Sequence, residues 1–227
     1  MERVICLIIG YLFGIFQTGY IYGKLHHVDI RQYGSGNAGT TNAMRILGKK
    51  AGIITYLGDM LKAILASLTV HAIFSGSHQD IMFLLTMYTG MGVVLGHNFP
   101  FYMGFRGGKG IAASSGVIFA LFDWRLIVCM VVTFLVITAI WRYVSLGSIC
   151  FMAGFFIELI IFGQLGWIRN LQPEERIETY IVGFCFSALA IYKHRSNIVR
   201  LLQGNERKLG EKKQESEPDS ESQSENK

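Results

Sequence analysis

The sequence predicts an all-α integral membrane protein, a compact bundle of about seven transmembrane helices, and three observations predict it. First, 51% of the 227 residues are hydrophobic and only 16% are charged, whereas soluble domains carry roughly a quarter charged residues. Second, the apolar residues form long runs rather than the stripes of amphipathic helices. Third, Lys and Arg collect in alternate loops between these runs, as they do on the cytoplasmic side of membrane proteins.

Seven apolar segments make up the predicted bundle. A helix that crosses roughly 30 Å of hydrocarbon needs about 20 residues, so the third, fourth and fifth segments are short for a full crossing. The fourth is the shortest, and it either tilts, begins inside the preceding loop or stops short of the far side. The segments span residues 4–24, 52–74, 81–95, 110–122, 126–141, 144–162 and 177–192.

Loop charge orients this bundle. The loops after the first, third, fifth and seventh segments carry the excess of Lys and Arg, and the other loops mix Arg with Asp and Glu. Because cytoplasmic loops are enriched in Lys and Arg, seven crossings place the N-terminus outside and the C-terminus in the cytoplasm.

Residues 1–204 are predicted to form one membrane domain. Residues 205–227, rich in Glu, Lys, Ser and Gln, cannot bury enough apolar surface to fold and are predicted to be a disordered cytoplasmic tail.

Composition also excludes some functions. The net charge of +5 is explained by cations in cytoplasmic loops, and no aromatic–basic module of a nucleic-acid reader is present, so no nucleic acid partner is predicted. The cysteines lie singly inside apolar runs, without CxxC spacing, and are interpreted as small buried hydrophobic residues. No metal or cofactor is predicted. These cysteines are Cys6, Cys129, Cys150 and Cys185.

A first polar block follows the first segment. It contains GxGxxG at Gly34, Gly36 and Gly39, but it does not follow a strand of a βαβ unit, so a dinucleotide fingerprint is rejected. What remains is a glycine-rich turn that can direct backbone N–H groups at an anion, with Arg45 as a bidentate partner for phosphate. An ordinary flexible loop would not need so many polar side chains. Further donors in the block are Ser35, Asn37, Thr41 and Asn42.

A second block combines a histidine with a glycine-rich cationic loop. Arg106 and Lys109 supply charge that attracts phosphate, or they serve only to orient the protein in the membrane. His97 ends the third segment and either contacts substrate, moves a proton or caps the helix at the interface. The glycines, which let a ligand approach the backbone closely, are Gly107, Gly108 and Gly110.

A third block follows the seventh segment. His194 and Asn197 are three residues apart, which puts both on one face of a helix, and Arg200 continues that face. The alternative is a basic juxtamembrane stretch that binds anionic lipid.

Ser145, at the start of the sixth segment, could donate to an acyl carbonyl or a phosphate, or simply allow close helix packing. Inside the second segment, an acidic and a basic residue are expected to pair and so reduce the cost of burial; they are Asp59 and Lys62.

Together these blocks resemble the bacterial membrane glycerol-3-phosphate acyltransferases that use acyl-phosphate as donor, the PlsY family. The resemblance covers the chain up to about Glu206. It rests on GSGNAGxTNxxR at 34–45, on GHxFP followed by GFxGGKG within 96–110, and on HxxNIxRLL at 194–202. One departure lies in helix one, where the run Gly14-Ile15-Phe16-Gln17 replaces a Gly-Ser-Ile-Pro-like turn.

The resemblance implies a seven-helix bundle in the bacterial inner membrane, with its site on the cytoplasmic face. It implies acyl transfer from acyl-phosphate to the 1-hydroxyl of glycerol-3-phosphate, giving lysophosphatidate, the first acylation of phospholipid synthesis. Ser35 and Arg45 would serve catalysis and phosphate binding, and Glu206 would support structure. The catalytic set would also contain His97, His194 and Asn197. Substrate contacts would come from Gly34, Gly36, Asn37, Asn42, Arg106, Gly107, Gly108, Lys109, Gly110 and Ser145.

An acyl-phosphate is already activated, so direct attack by the substrate hydroxyl is expected and no acyl-enzyme is needed. The sequence leaves three candidates for the general base, which are His97, His194 and a substrate phosphate.

Acyltransferases that use acyl-CoA or acyl-carrier protein carry HxxxxD, and no histidine here has Asp five residues later. A non-enzymatic transporter or channel is a further alternative, but no internal repeat supports it. The expected partners are the two substrates, membrane lipid and a soluble acyl-phosphate synthase, since the donor hydrolyses easily.

Overall fold

Helices build the entire regular structure of the described chain. The computed structural model describes residues 1–168 and 171–211, and within these ranges every regular element is helical. The predicted all-α fold is confirmed. The helices are α1 (Glu2–Gly14), α2 (Thr18–Leu25), α3 (Thr40–Leu47), α4 (Lys49–Phe74), α5 (Met82–Asn98), α6 (Ile111–Ala120), α7 (Trp124–Trp141), α8 (Val144–Gln164), α9 (Arg176–Lys193) and α10 (Arg195–Leu202).

Five stretches of the chain that the structure describes are long and apolar enough to cross a membrane. α6 is also apolar, but its 10 residues extend only about 15 Å, half of the roughly 30 Å of hydrocarbon. The count of about seven crossings and the orientation of the termini stay predictions. The five stretches are Glu2–Leu25, Lys49–Phe74, Gln79–Met103, Trp124–Trp141 and Val144–Gln164.

The first apolar segment differs from the continuous helix that the sequence predicts. α1 ends at Gly14 and α2 begins at Thr18, with Gln17 in an extended conformation between them (φ −103°, ψ 91°). The buried Gln17 side chain donates to the carbonyl oxygens of Gly14 (3.4 Å) and His97 (2.9 Å). The break therefore forms without proline, because polar groups from other parts of the chain satisfy the backbone that it exposes.

α1 packs on α5 through glycines that bring the two backbones together. A Cβ added to Gly10 or Gly14 would collide with backbone carbonyls of α5, and one added to Gly92 or Gly96 would collide with carbonyls of α1. Each helix thus presents a pair of glycines four residues apart to the other. This small-residue interface is a common means of helix association in membranes, where the hydrophobic effect between helices is weak.

The main hydrophobic core lies between α5, α6, α8 and α9. α4 packs against α6, and α8 packs between α7 and α9. This arrangement brings the loop before α6, the start of α8 and the α9–α10 junction together at one end of the bundle. The core includes Val93, Val117, Met152, Phe155 and Phe186.

Candidate active site

The α9–α10 junction holds a buried histidine in one tautomer. His194 is 3% exposed, and its Nδ1 lies 2.8 Å from the carbonyl oxygen of Ala190. Because a carbonyl oxygen only accepts, Nδ1 must donate, and the lone pair stands on Nε2. Burial, as the largest influence, lowers the pKa of His194 to about 4. The ring is therefore neutral near pH 7, with a free acceptor atom.

A chain of hydrogen bonds links the second block to the third. The Lys109 ammonium donates to Oδ1 of Asn197, and Nδ2 of Asn197 donates to Oε1 of Glu206 at 2.7 Å. Two residues 88 positions apart in the sequence are thereby brought into contact. Burial lowers the pKa of Lys109 to about 8, although the charge of Glu206 acts in the opposite direction.

Glu206 is the acceptor on which several side chains converge. It accepts from Ser145 Oγ at 2.8 Å, from Arg200 Nε at 2.7 Å and from Asn197. Desolvation raises the pKa of Glu206, but these hydrogen bonds outweigh it and the net pKa is lowered. The Ser145 hydroxyl therefore donates to protein rather than to substrate. Glu206 stands at the head of the predicted tail, most of which, residues 212–227, lies outside the described residues.

The glycine loop before α6 is attached to the end of α5. Gly107 N donates to the carbonyl of Asn98 (3.2 Å), and Gly108 N donates to that of His97 (3.0 Å). A Cβ at Gly107 or Gly108 would collide with His97. These two N–H groups are thus bonded within the protein, and the expected contact of the two glycines with substrate stays a prediction. The loop's attraction for an anion comes from Lys109 and from the N-terminus of α6, which begins after Gly110 (φ 86°).

His97 lies under this loop rather than in the open site. It is 2% exposed, and its Nδ1 lies 2.9 Å from Nζ of Lys62. Lys62 and Asp59 pair at 2.9 Å, as the sequence predicts. The position of His97 favours support of the loop over proton transfer to substrate. The contact between Lys62 and His97 was not predicted, although a cation inside an apolar segment generally indicates a specific polar contact.

The first block is shaped by its asparagines. Gly34 and Gly36 adopt positive φ (63° and 68°), which only glycine adopts readily. Asn42 donates to two backbone carbonyls (2.8 and 3.1 Å) and accepts from Ser35 N (3.0 Å). Asn37 accepts from the backbone N of Gly39 (2.9 Å). Asn37 and Asn42 therefore hold the loop's conformation, and their expected role as substrate contacts stays a prediction.

Three side chains of the first block remain available to a ligand. Ser35, Thr41 and Arg45 are exposed, and in the described part of the chain none of these side chains has a hydrogen-bond partner. Desolvation lowers the pKa of Arg45 first, the charges of Arg207 and Arg200 lower it further, and Glu206 raises it. Arg45 thus lies within electrostatic reach of the Glu206 cluster. Arg106 is likewise exposed, three residues before Lys109 in the sequence.

Comparison with known proteins identifies the family. A model described as glycerol-3-phosphate acyltransferase matches residues 4–204. The chain belongs to the glycerol-3-phosphate acyltransferase family. It is 42% identical over 213 residues to the enzyme of Clostridioides difficile (strain 630), covering 93% of this chain and 97% of that one. It is 40% identical over 214 residues to the enzyme of Alkaliphilus metalliredigens (strain QYMF), covering 93% and 98%.

Two crystal structures of PlsY, an integral membrane glycerol-3-phosphate acyltransferase, share the fold. The glycerol 3-phosphate form superposes with a TM-score of 0.76 at 36% identity, covering 92% of this chain and 96% of that one. The lysophosphatidic acid form gives a TM-score of 0.74 with the same identity and coverage. The resemblance to the PlsY family is confirmed. The protein is an integral membrane acyltransferase of glycerol-3-phosphate, and its place in phospholipid synthesis follows from the product.

Proposed function

We propose that this acyltransferase uses acyl-phosphate as donor, attacks it directly with the 1-hydroxyl of glycerol-3-phosphate, and does so at the cytoplasmic face of the bacterial inner membrane. One observation carries the proposal. The hydrogen-bonded cluster of Lys109, Asn197 and Glu206 is flanked by Arg45 and by the neutral His194. A site rich in cations and centred on one carboxylate suits a reaction in which both substrates carry phosphate.

The glycerol-3-phosphate phosphate is assigned to the glycine loop. Lys109 and the exposed Arg106 flank the start of α6, whose free N–H groups and dipole attract anions. The internal bonds of Gly107 and Gly108 hold this loop, which leads directly into α6, against the end of α5. In this assignment the lysine and the helix end bind the phosphate, and the glycines supply the close packing that makes the loop possible.

The donor phosphate is assigned to Arg45, whose guanidinium is free to make two parallel hydrogen bonds. In the described residues, the ring of His194 bonds only to a backbone carbonyl, so His194 does not activate a Ser or Cys nucleophile at the candidate site. The four cysteines all lie on helices within apolar runs. These features support direct attack over an acyl-enzyme.

The chemistry balances without a cofactor. The hydroxyl oxygen attacks the carbonyl carbon, the bond from that carbon to the phosphate oxygen breaks, and the departing phosphate carries away the hydroxyl proton. Nε2 of His194 accepts the hydroxyl hydrogen bond and orients the attack. The Ser35 hydroxyl and the second amide hydrogen of Asn197, which Glu206 does not use, are donors for the developing oxyanion.

The donor test compares three activated forms of one acyl chain. Purified protein in detergent receives labelled glycerol-3-phosphate with palmitoyl-phosphate, palmitoyl-CoA or palmitoyl-acyl-carrier protein. We expect labelled lysophosphatidate from palmitoyl-phosphate alone, a large loss in Lys109→Met, and full activity in Lys50→Met, which removes an exposed lysine. Comparable rates with palmitoyl-CoA, or an acyl-enzyme trapped when palmitoyl-phosphate labelled in its acyl chain is given without acceptor, would contradict the proposal. Uptake of the label into vesicles without product would favour a transporter.

Delivery of the donor adds a partner to this proposal. An acyl-phosphate hydrolyses in water, so release from a soluble acyl-phosphate synthase close to the membrane favours productive transfer. The donor's acyl chain would remain in the surrounding membrane lipid while its phosphate enters the site.

A further inference from the structure

A buried cation in α4 has no part in the reaction described above. Lys62 is 6% exposed and its neighbour Asp59 is 1% exposed, although both lie inside a membrane-spanning segment. An ionisable pair is expensive to bury in such a segment, and when present it is generally engaged in specific contacts. The contacts of Lys62 extend well beyond its partner carboxylate.

Lys62 caps the broken first helix. Its ammonium donates to the carbonyl oxygen of Gly14 at 3.1 Å and to that of Phe16 at 2.5 Å. The last carbonyls of α1 have no partner within the helix, and a cation at a helix C-terminus is favourable. The break in helix one is therefore held by a charge that belongs to α4.

The same ammonium fixes the tautomer of His97. Nδ1 of His97 lies 2.9 Å from Nζ of Lys62, but 3.7 Å from Oδ1 of Asp59, which is too far for a hydrogen bond. An ammonium group has three hydrogens and no acceptor, so Lys62 shares one hydrogen between two of its four neighbours, which also include Asp59 Oδ1 at 2.9 Å. Nδ1 faces this donor as an acceptor, and the ring hydrogen must stand on Nε2. Lys62 thus decides which edge of the imidazole carries its N–H.

The N–H edge of His97 faces the glycine loop. A Cβ at Gly108 would collide with Nε2, so the loop backbone lies directly against this atom. The backbone of His97 holds the same loop through Gly108 N, and Gln17 donates to the same carbonyl from the helix break at 2.9 Å. One continuous set of contacts therefore connects the helix break to the loop through His97.

We propose that Lys62 is a positioning residue for glycerol-3-phosphate binding: it holds His97 in the Nε2–H tautomer against Gly108 and so keeps the glycine loop in its phosphate-binding shape. The proposal rests on the assignment of this loop to the glycerol-3-phosphate phosphate. Lys62 itself touches neither substrate. Its loss would move the loop and weaken binding of that substrate while sparing the donor.

The kinetic test uses Lys62→Met, with Lys50→Met as the matched control from the exposed start of the same helix. We expect Lys62→Met to raise the KM for glycerol-3-phosphate about tenfold or more, with kcat and the KM for acyl-phosphate within about twofold of wild type. His97→Gln should have a similar effect, and the double variant should be no worse than either single one, since both act through one linkage. A folded Lys62→Met protein with unchanged KM, equal losses for both substrates, or additive effects would overturn the proposal.

A spectroscopic test needs no foldable Lys62 variant. In wild-type protein labelled with ¹⁵N-histidine, the His97 signal, assigned by its absence from His97→Gln, should show hydrogen on Nε2 and a bare Nδ1 near pH 7. Hydrogen on Nδ1, or a doubly protonated ring, would overturn the proposal. Equilibrium binding of labelled glycerol-3-phosphate alone separates this outcome from failure of the donor assignment. If the wild-type protein binds glycerol-3-phosphate but forms no product with acyl-phosphate, the donor assignment is wrong. The proposed link from Lys62 through His97 to the glycine loop is then unaffected.

Discussion

Lys109 carries a charge that can be lost within an accessible pH range. Its pKa is lowered to about 8, chiefly by burial, so the ammonium is present below that value and is lost as pH rises through it. We expect kcat/KM for glycerol-3-phosphate, which reports the free enzyme, to fall about tenfold per pH unit above 8. Lys109→Arg, charged throughout this range, should lose that dependence even if its rate is lower. A flat wild-type profile to pH 10 would contradict the assignment.

His194 offers a second test. Its neutral ring presents Nε2 to the site because Nδ1 is bound to the carbonyl of Ala190. We expect His194→Ala to lower kcat by about 10²-fold, because the attacking hydroxyl loses the acceptor that orients it towards the carbonyl carbon. His26→Ala is the matched control, because His26 makes the same ring contact with the carbonyl four residues before it but is exposed. Similar rates for the two variants would remove His194 from the reaction.

Individual residues show what sequence reasoning predicted and what it left out. The sequence assigned Lys109 and Asn197 to one site, and they are hydrogen-bonded. It also assigned Asn42 to substrate, and it did not predict that this side chain makes three hydrogen bonds to loop backbone. Residue type and spacing predict which polar groups gather at one end of the bundle. They do not predict which groups are consumed in building the loops, because that depends on backbone geometry.

The glycine interface of α1 and α5 can be tested by adding side-chain volume. In Gly92→Leu, the new side chain would meet the backbone of α1, whereas at Gly76 nothing lies within 4 Å. We expect Gly92→Leu to destabilise the protein by about 1–3 kcal/mol or more, the cost of overpacking, and to lower its thermal unfolding midpoint in detergent. Gly76→Leu should change stability by no more than about 0.5 kcal/mol. Equal midpoints would mean that the two helices are not held by close contact.

Helix boundaries followed from the sequence wherever the cause is local. The sixth predicted segment, 144–162, corresponds closely to α8 (Val144–Gln164), because an apolar run is a property of consecutive residues. The break after Gly14 was missed because its partners, Lys62 and Gln17, act through folded geometry. Hydropathy along a single segment contains no information about a donor that arrives from another helix.

The orientation of the bundle is testable by cysteine labelling. After the four native cysteines are replaced, Lys50→Cys and Gln172→Cys place single thiols at exposed positions on the two predicted sides. We expect a membrane-impermeant reagent to label Gln172→Cys in intact cells, and Lys50→Cys only after permeabilisation, as the positive-inside rule requires. The reverse pattern would place the candidate site outside and would be incompatible with a cytoplasmic donor.

The Lys62 contacts have a consequence for biosynthesis. The carbonyl groups of Gly14 and Phe16 and the carboxylate of Asp59 are all translated before Lys62, and only His97 follows it, 35 residues later. When α4 leaves the ribosome, most acceptors for its buried ammonium already exist in the nascent chain. The N-terminal helices can therefore settle in the bilayer before the glycine loop at residues 104–110, which is assigned to glycerol-3-phosphate, has been made.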